Sequence, residues 1–238
     1  MDCGGGATVL WSVLIIMMVV LPYRWRHRIA TGWGDTTIWL ARWVCGIRWQ
    51  VHGLEHLQGA PAVIVANHQS TWETMFLPLL VRNQVWVLKK ELLQLPIFGW
   101  AMALLRPIAI DRKQRRQAME KVIVEGRARL ADGFWVVMYP EGTRSAVDNP
   151  QPFKAGASRL AHQLGVRVIP IAHNAGQFWP KKGLMCSGTV QVCIGAPIAV
   201  EGLSAVEINE RAQAWVADKR EQLVAQENRR RGEGRNGG

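Results

Sequence analysis

The segment Asn67-His68-Gln69-Ser70-Thr71-Trp72-Glu73 sets an imidazole and a carboxylate five residues apart. An apolar run, Ala62–Ala66, ends directly before it, so His68 is expected at the C-terminal end of a buried strand. Ser70 has the character of a helix N-cap, which makes Glu73 the third helical residue. From there Glu73 can turn back to one ring nitrogen of His68. A carboxylate so placed fixes the histidine tautomer and stabilises the imidazolium formed when the other nitrogen takes a proton, which is general-base chemistry. The helix N-terminus helps keep Glu73 ionised. A plainer reading competes on the same residues. Ser70-x-x-Glu73 is a capping box, in which Glu73 serves only the helix end and His68 is a loop histidine. Within these seven residues the two readings stand level.

A second segment, Tyr139-Pro140-Glu141-Gly142-Thr143-Arg144-Ser145, follows the apolar run Phe134–Met138. Pro140 ends the ladder, Gly142 permits close backbone approach, and Arg144 offers a planar fork suited to phosphate or carboxylate. Lys89 and Arg112 each close a further expected strand. Taken singly, each cation reads as a solvated rim residue. Together, a histidine base, a carboxylate and three cations at strand C-termini form an anion-binding catalytic edge. Ser70 and Cys193 are discounted as nucleophiles, the first as a cap and the second as a small mid-strand cysteine.

The elements that must position these residues are legible as alternating runs. Ala62–Asn67, Val85–Lys89, Ile108–Ile110, Phe134–Tyr139, Val166–Ile171 and Thr189–Ile194 read as strands. Helical spacing intervenes at Met119, Val122, Ile123 and Leu130, and again at Phe153, Ala157, Leu160, Ala161 and Leu164. A last helix opens on the capping box Ser204-x-x-Glu207. Such alternation predicts an α/β domain, with a mostly parallel central sheet flanked by helices, over 53–227. Residues 1–52 precede it as a two-helix membrane anchor, and 228–238 as a basic tail is expected to be disordered. Within the anchor, Ala7–Leu21 is uncharged but short of a bilayer span, and Thr36–Val51 is apolar and Trp-rich. Arg24, Arg26 and Arg28 favour the cytoplasmic face of a membrane.

Composition limits the function classes. The 238-residue chain carries 29 Lys+Arg against 18 Asp+Glu, a net charge of +11, which favours an anionic partner: nucleic acid, an acidic bilayer or a phosphorylated substrate. No nucleic-acid-binding pattern is present, so nucleic acid is not an expected partner. Four cysteines without ligand spacing argue against a disulfide framework or structural zinc. Of 12 tryptophans, Trp11, Trp25, Trp33, Trp39, Trp43 and Trp49 fall in the first fifty residues, a clustering that suits a bilayer interface and a packed core equally.

Four ordered segments, from Gly53 to Pro197, resemble the glycerolipid acyltransferases of the 1-acylglycerol-3-phosphate (lysophosphatidic acid) type. They are Asn67-His68 through Glu73, Lys89 through Arg112, Tyr139 through Ser145, and Val168-Ile169-Pro170-Ile171. That family usually has Asp where this chain has Glu73, which is longer by one methylene. The resemblance implies His68 as general base on the free sn-2 hydroxyl of a lysophospholipid, oriented by Glu73. It implies Lys89 and Arg144 on the acceptor phosphate, assisted by Arg112, with Glu141, Gly142 and Thr143 in the acceptor site. The co-substrate would be acyl-CoA or acyl-carrier protein, with no metal and no other cofactor, at the cytoplasmic face of a membrane. Acylation of another lysophospholipid, water activation by the same pair, and a basic membrane-binding protein without catalysis are the alternatives.

Overall fold

Short β-branched runs without helical periodicity become strands, and the computed structural model shows seven of them among the described residues. These are residues 3–236, with side chains described from Leu10 to Glu233. The strands are β1 (Ile47–His52), β2 (Val63–Ala66), β3 (Gln84–Lys89), β4 (Ile108–Ile110), β5 (Trp135–Met138), β6 (Val168–His173) and β7 (Gly188–Ile194). Helices α1 (Cys3–Met17), α2 (Tyr23–Val44), α3 (Trp72–Leu80), α4 (Phe98–Leu104), α5 (Arg115–Ala131), α6 (Gly156–Leu164) and α7 (Ala205–Asn236) alternate with them. The α/β class and the six expected strands are all present, with ends shifted by a residue or two.

The chain divides into two compact units, 1–39 with 74–137 and 40–73 with 138–238. In the first, β3 pairs in parallel with both β5 and β4. Buried Ile108, Val122 and Phe134 contribute to its interior, with α5 lying on β4. Along α2, Tyr23, Arg26 and His27 share one side and turn inward. Tyr23 Oη donates to the Leu105 carbonyl at 2.9 Å. The Arg26 guanidinium donates to the carbonyls of Leu104, at 3.2 and 3.0 Å, and Val19, at 3.0 Å. These are helix-end carbonyls that would otherwise lack partners. Arg26 is therefore buried, whereas Arg24 and Arg28 are exposed. Of the three arginines read as favouring the cytoplasmic face of a membrane, one serves the interior.

In the second unit the strand order is β1-β7-β6-β2. β1 runs parallel to β7 and β2 parallel to β6, whereas β6 and β7 pair antiparallel. All four residues of β2 and all six of β6 are buried, as expected for strands covered on both faces. α6 lies on β2 and α7 on β6, and Leu160, Ile169, Ile171 and Ile208 are inaccessible to solvent.

Three expectations need correction. The Trp-rich stretch Thr36–Val51 is not one helix: α2 ends at Val44, Gly46 takes φ +68°, and β1 follows. The boundary expected between 52 and 53 falls inside the second unit, just after β1. The basic tail continues as helix to Asn236, and only its last two residues lie outside the described residues. Arg231 fastens that extension. Its Nε pairs with Glu227 at 2.9 Å, its Nη2 donates to the Gln177 carbonyl at 3.3 Å, and its guanidinium stands 4.9 Å from the Phe178 ring centre.

Candidate active site

β2 delivers the chain to Asn67 and His68 at its C-terminal end. Asn67 is buried and bound reciprocally to the last residue of β6: its Nδ2 donates to the His173 carbonyl and its Oδ1 accepts the His173 N–H, both at 3.0 Å. The His173 ring closes the clamp from the other side. Nε2 lies 2.8 Å from the Asn67 carbonyl, and Nδ1 accepts the Ala175 N–H at 3.3 Å. These partners require the neutral tautomer with the proton on Nε2. Burial pushes the His173 pKa down, which agrees with that tautomer.

His68 follows, its backbone N–H held by Glu141 Oε1 at 2.8 Å and its ring stacked on Tyr139 with centroids 4.3 Å apart. His68 Nδ1 meets Glu73 Oε1 at 2.9 Å, so the longer carboxylate side chain does reach the imidazole. The same oxygen accepts the backbone N–H of Gln69 at 2.9 Å and of Ser70 at 2.8 Å. Ser70 Oγ in turn accepts the Trp72 N–H at 3.0 Å, which is the N-cap bond. Capping and pairing with His68, rivals in the sequence, thus coexist on one oxygen.

Glu73 is 1% exposed, and burial by itself would raise its pKa. The hydrogen bond and charge of His68 and the Ser70 N–H outweigh that, so the group titrates below its ordinary value. It is a carboxylate at neutral pH. The His68 side chain is 18% exposed, and its Nε2 has no hydrogen-bond partner among the described residues. The geometry presents one ring nitrogen to solvent and holds the other against a carboxylate.

The loop after β5 supplies the charge. Glu141 is buried and its oxygens are occupied: Oε1 by the His68 N–H, Oε2 by the Ser145 hydroxyl and by the Gln151 N–H at 3.2 Å. It braces the loop from within. Gly142 takes φ +75°, and a Cβ there would stand 2.7 Å from Lys154 Nζ. Thr143 is exposed and Arg144 half-buried. Arg144 Nη1 donates to Thr71 Oγ1 at 2.8 Å, and its carbonyl accepts from Lys181 Nζ at 2.9 Å. No carboxylate forms an ion pair with Arg144, Lys154 or Lys181 among the described residues, which leaves these three cations without a paired counter-charge.

The remaining expected site residues belong to the first unit. Lys89 ends β3 and pairs with Glu91 at 3.2 Å; Arg112 follows β4 and is exposed. The second unit gathers His68, Glu73, Glu141, Gly142 and Arg144 and adds residues that local sequence did not single out. Tyr139, Lys154 and Lys181 come from loops, and His173 from the end of β6. Only Tyr139 carried a signal, by its place in the segment before Pro140.

An acyltransferase family model matches residues 48–174, which include the His68–Glu73 pair, the Glu141–Arg144 loop and the Asn67–His173 clamp. The chain belongs to this acyltransferase family. Among its relatives is a 1-acyl-sn-glycerol-3-phosphate acyltransferase of Pseudomonas aeruginosa, 46% identical over 88% of this chain and 84% of that one. A human relative, the beta form of 1-acyl-sn-glycerol-3-phosphate acyltransferase, is 35% identical over 68% of this chain and 60% of its own length. The crystal structure of a Thermotoga maritima 1-acyl-sn-glycerophosphate acyltransferase shares the fold. Its TM-score is 0.74 over 92% of this chain and 90% of that chain, at 23% identity. Membership of the acyltransferase family gives these three cations a natural counterpart, because many acyl acceptors and donors are phosphorylated.

Proposed function

We propose that this acyltransferase moves a fatty acyl group from a thioester to the free hydroxyl of 1-acylglycerol-3-phosphate, forming phosphatidic acid. The observation that carries the reading is the 2.9 Å contact of His68 Nδ1 with a buried, ionised Glu73. His68 Nε2 takes the acceptor hydroxyl proton as its oxygen attacks the thioester carbonyl. The tetrahedral adduct collapses, the C–S bond breaks, and the imidazolium returns the proton to the leaving thiolate. Glu73 holds the tautomer and stabilises the transient imidazolium, and Tyr139 fixes the ring plane. Arg144 meets the acceptor phosphate, supported by the loop that Glu141 braces. Relatives named for the same acceptor, among them the Pseudomonas protein, support this choice of substrate. The donor is acyl-CoA or acyl-carrier protein, both of which suit a basic surface.

The membrane part of the reading rests on the N-terminal helices. Among the described residues no helix is long and apolar enough to cross a membrane. Leu10, Met17, Val20, Trp25 and Trp39 are nevertheless exposed, which suits α1 and α2 to lying within one leaflet at its cytoplasmic face.

The test is direct. Detergent-solubilised protein, lysophosphatidic acid and a labelled acyl thioester should give phosphatidic acid. His68→Ala should lower kcat by about 10²–10⁴-fold, and robust turnover by that variant would overturn the mechanism. Glu73→Gln keeps an oxygen for the Gln69 and Ser70 N–H groups but loses the charge, so kcat should fall more than acceptor KM changes. Arg144→Ala should do the reverse, raising the acceptor KM. A silent Glu73→Gln would leave the carboxylate as a helix cap alone.

A further inference from the structure

Residues 179–187 leave the second unit as a loop with a fastened neck. Cys186 N–H donates to the Phe178 carbonyl at 2.8 Å, and Phe178 is fully buried. Gly188 is so close to the Phe178 ring that a Cβ there would come within 2.2 Å. The tip carries Leu184, 88% exposed, and Met185, 44% exposed. Lys181 and Lys182 precede them, both exposed. A leucine this exposed on a loop pinned at its base has no interior to fold back into.

The neck adjoins a second exposed apolar group from far away in sequence. Gly188 N–H donates to the Gly46 carbonyl at 3.1 Å, and a Cβ on Gly46 would lie 2.9 Å from Ser187 Cβ. Gly46 lies two residues beyond the end of α2, where Trp43 is 67% and Val44 77% exposed. Arg42 stands beside Trp43, with its guanidinium 5.8 Å from that ring. Two segments thus meet at the Gly46–Gly188 contact, each presenting exposed large apolar side chains next to cations. Tryptophan and aliphatic groups beside lysine and arginine are what an anionic bilayer interface accepts.

We propose that the Lys181–Met185 loop and the Arg42–Val44 end of α2 form a lipid-contacting edge of this unit, binding the surface of an anionic bilayer. Leu184, Met185, Trp43 and Val44 enter the headgroup boundary, while Lys181, Lys182 and Arg42 meet lipid phosphates. Lys181 also holds the Arg144 carbonyl, so the loop that touches lipid is bonded to the loop assigned above to the acceptor phosphate. The inference rests on the reading of a lipid acceptor, and it extends membrane contact from the end of α2 to a loop far from the N-terminal helices in sequence.

The test compares the full chain with L184D/M185D, and separately with W43S, on one acceptor presented two ways. Lysophosphatidic acid is offered in vesicles of phosphatidylcholine and phosphatidylglycerol, or as a short-chain, water-soluble analogue, with acyl-CoA as donor. The ratio of vesicle to soluble rate should fall about tenfold or more in L184D/M185D. Flotation with the anionic vesicles should weaken in parallel, and L184W should restore both. An unchanged ratio, with turnover intact, would overturn the lipid edge while leaving the acyl transfer reading in place. Equal loss on both presentations would also overturn it, assigning the loop to the site or the fold. A rise confined to the KM for an acyl-carrier-protein donor, with vesicle rates unaltered, would overturn it in favour of a protein-docking surface. No phosphatidic acid from the unaltered chain in either presentation would instead sink the acyl transfer reading itself.

Discussion

Glu73 Oε1 accepts hydrogen bonds from an imidazole and two backbone amides, so one atom starts α3 and orients His68. Local sequence posed these as rival roles because a side chain three residues after a cap is normally spent on it. The five-residue His–Glu spacing was legible; that one oxygen could satisfy all three donors needed coordinates. The Asn67–His173 clamp was not legible at all, since 106 residues separate its halves. His173→Ala should strip partners from the buried Asn67 carbonyl and the Ala175 N–H, costing about 1–3 kcal/mol in thermal or chemical unfolding. If His173 positions His68 through Asn67, kcat should fall while acceptor KM holds, and His173→Gln, which can still donate to the Asn67 carbonyl, should recover part of the loss. Equal loss of stability in both variants with an unaltered kcat would confine His173 to structure.

At the scale of elements, strands were read well where apolar runs are buried on both faces, as in β2, β5 and β6. β1 was absorbed into the Trp-rich stretch Thr36–Val51, although Ile47, Trp49 and Val51 alternate with exposed Arg48, Gln50 and His52, a period of two that marks a half-buried strand. Its partner is β7, so the pairing that makes it a strand is remote in sequence. Glycines mark where elements approach closely. In α2, a Cβ on Gly34 would lie 2.6 Å from the Met75 carbonyl of α3, whereas one on Gly32 would meet only the Trp11 ring at 3.8 Å. Gly34→Ala should therefore destabilise by about 1–3 kcal/mol. Gly32→Ala, two residues away on the same helix, should be neutral or stabilise by up to about 1 kcal/mol through helix propensity. Paired thermal melts of the two variants test this, and equal shifts would mean that α2 and α3 can separate without cost.

For the molecule as a whole, the buried histidines set an acid limit. Burial lowers the pKa of both His27, whose Nε2 lies 2.7 Å from the Gln84 carbonyl, and His173. The unfolded chain binds those protons near pH 6.5 and the folded chain only at lower pH. Stability should therefore be full above that value and decline as pH falls below it. The lowered pKa of Glu73 adds a further loss in more acidic solution, as pH falls below the ordinary glutamate value. Unfolding followed from pH 8 to pH 4 should show the first decline, and His27→Gln should make it shallower. The clamp between Asn67 and His173 also bears on biosynthesis. A nascent chain has the complete His68–Glu73 pair once residue 73 has emerged, yet the amide that seats His68 awaits Glu141 and the clamp awaits the end of β6. Closing contacts 73 and 106 residues apart is among the slower steps available to this chain, so catalytic competence should arrive late in synthesis. A ribosome stalled before residue 141 would hold every atom of the dyad but neither the Glu141 contact nor the clamp that seats it, leaving the growing chain inert towards the lipids around it.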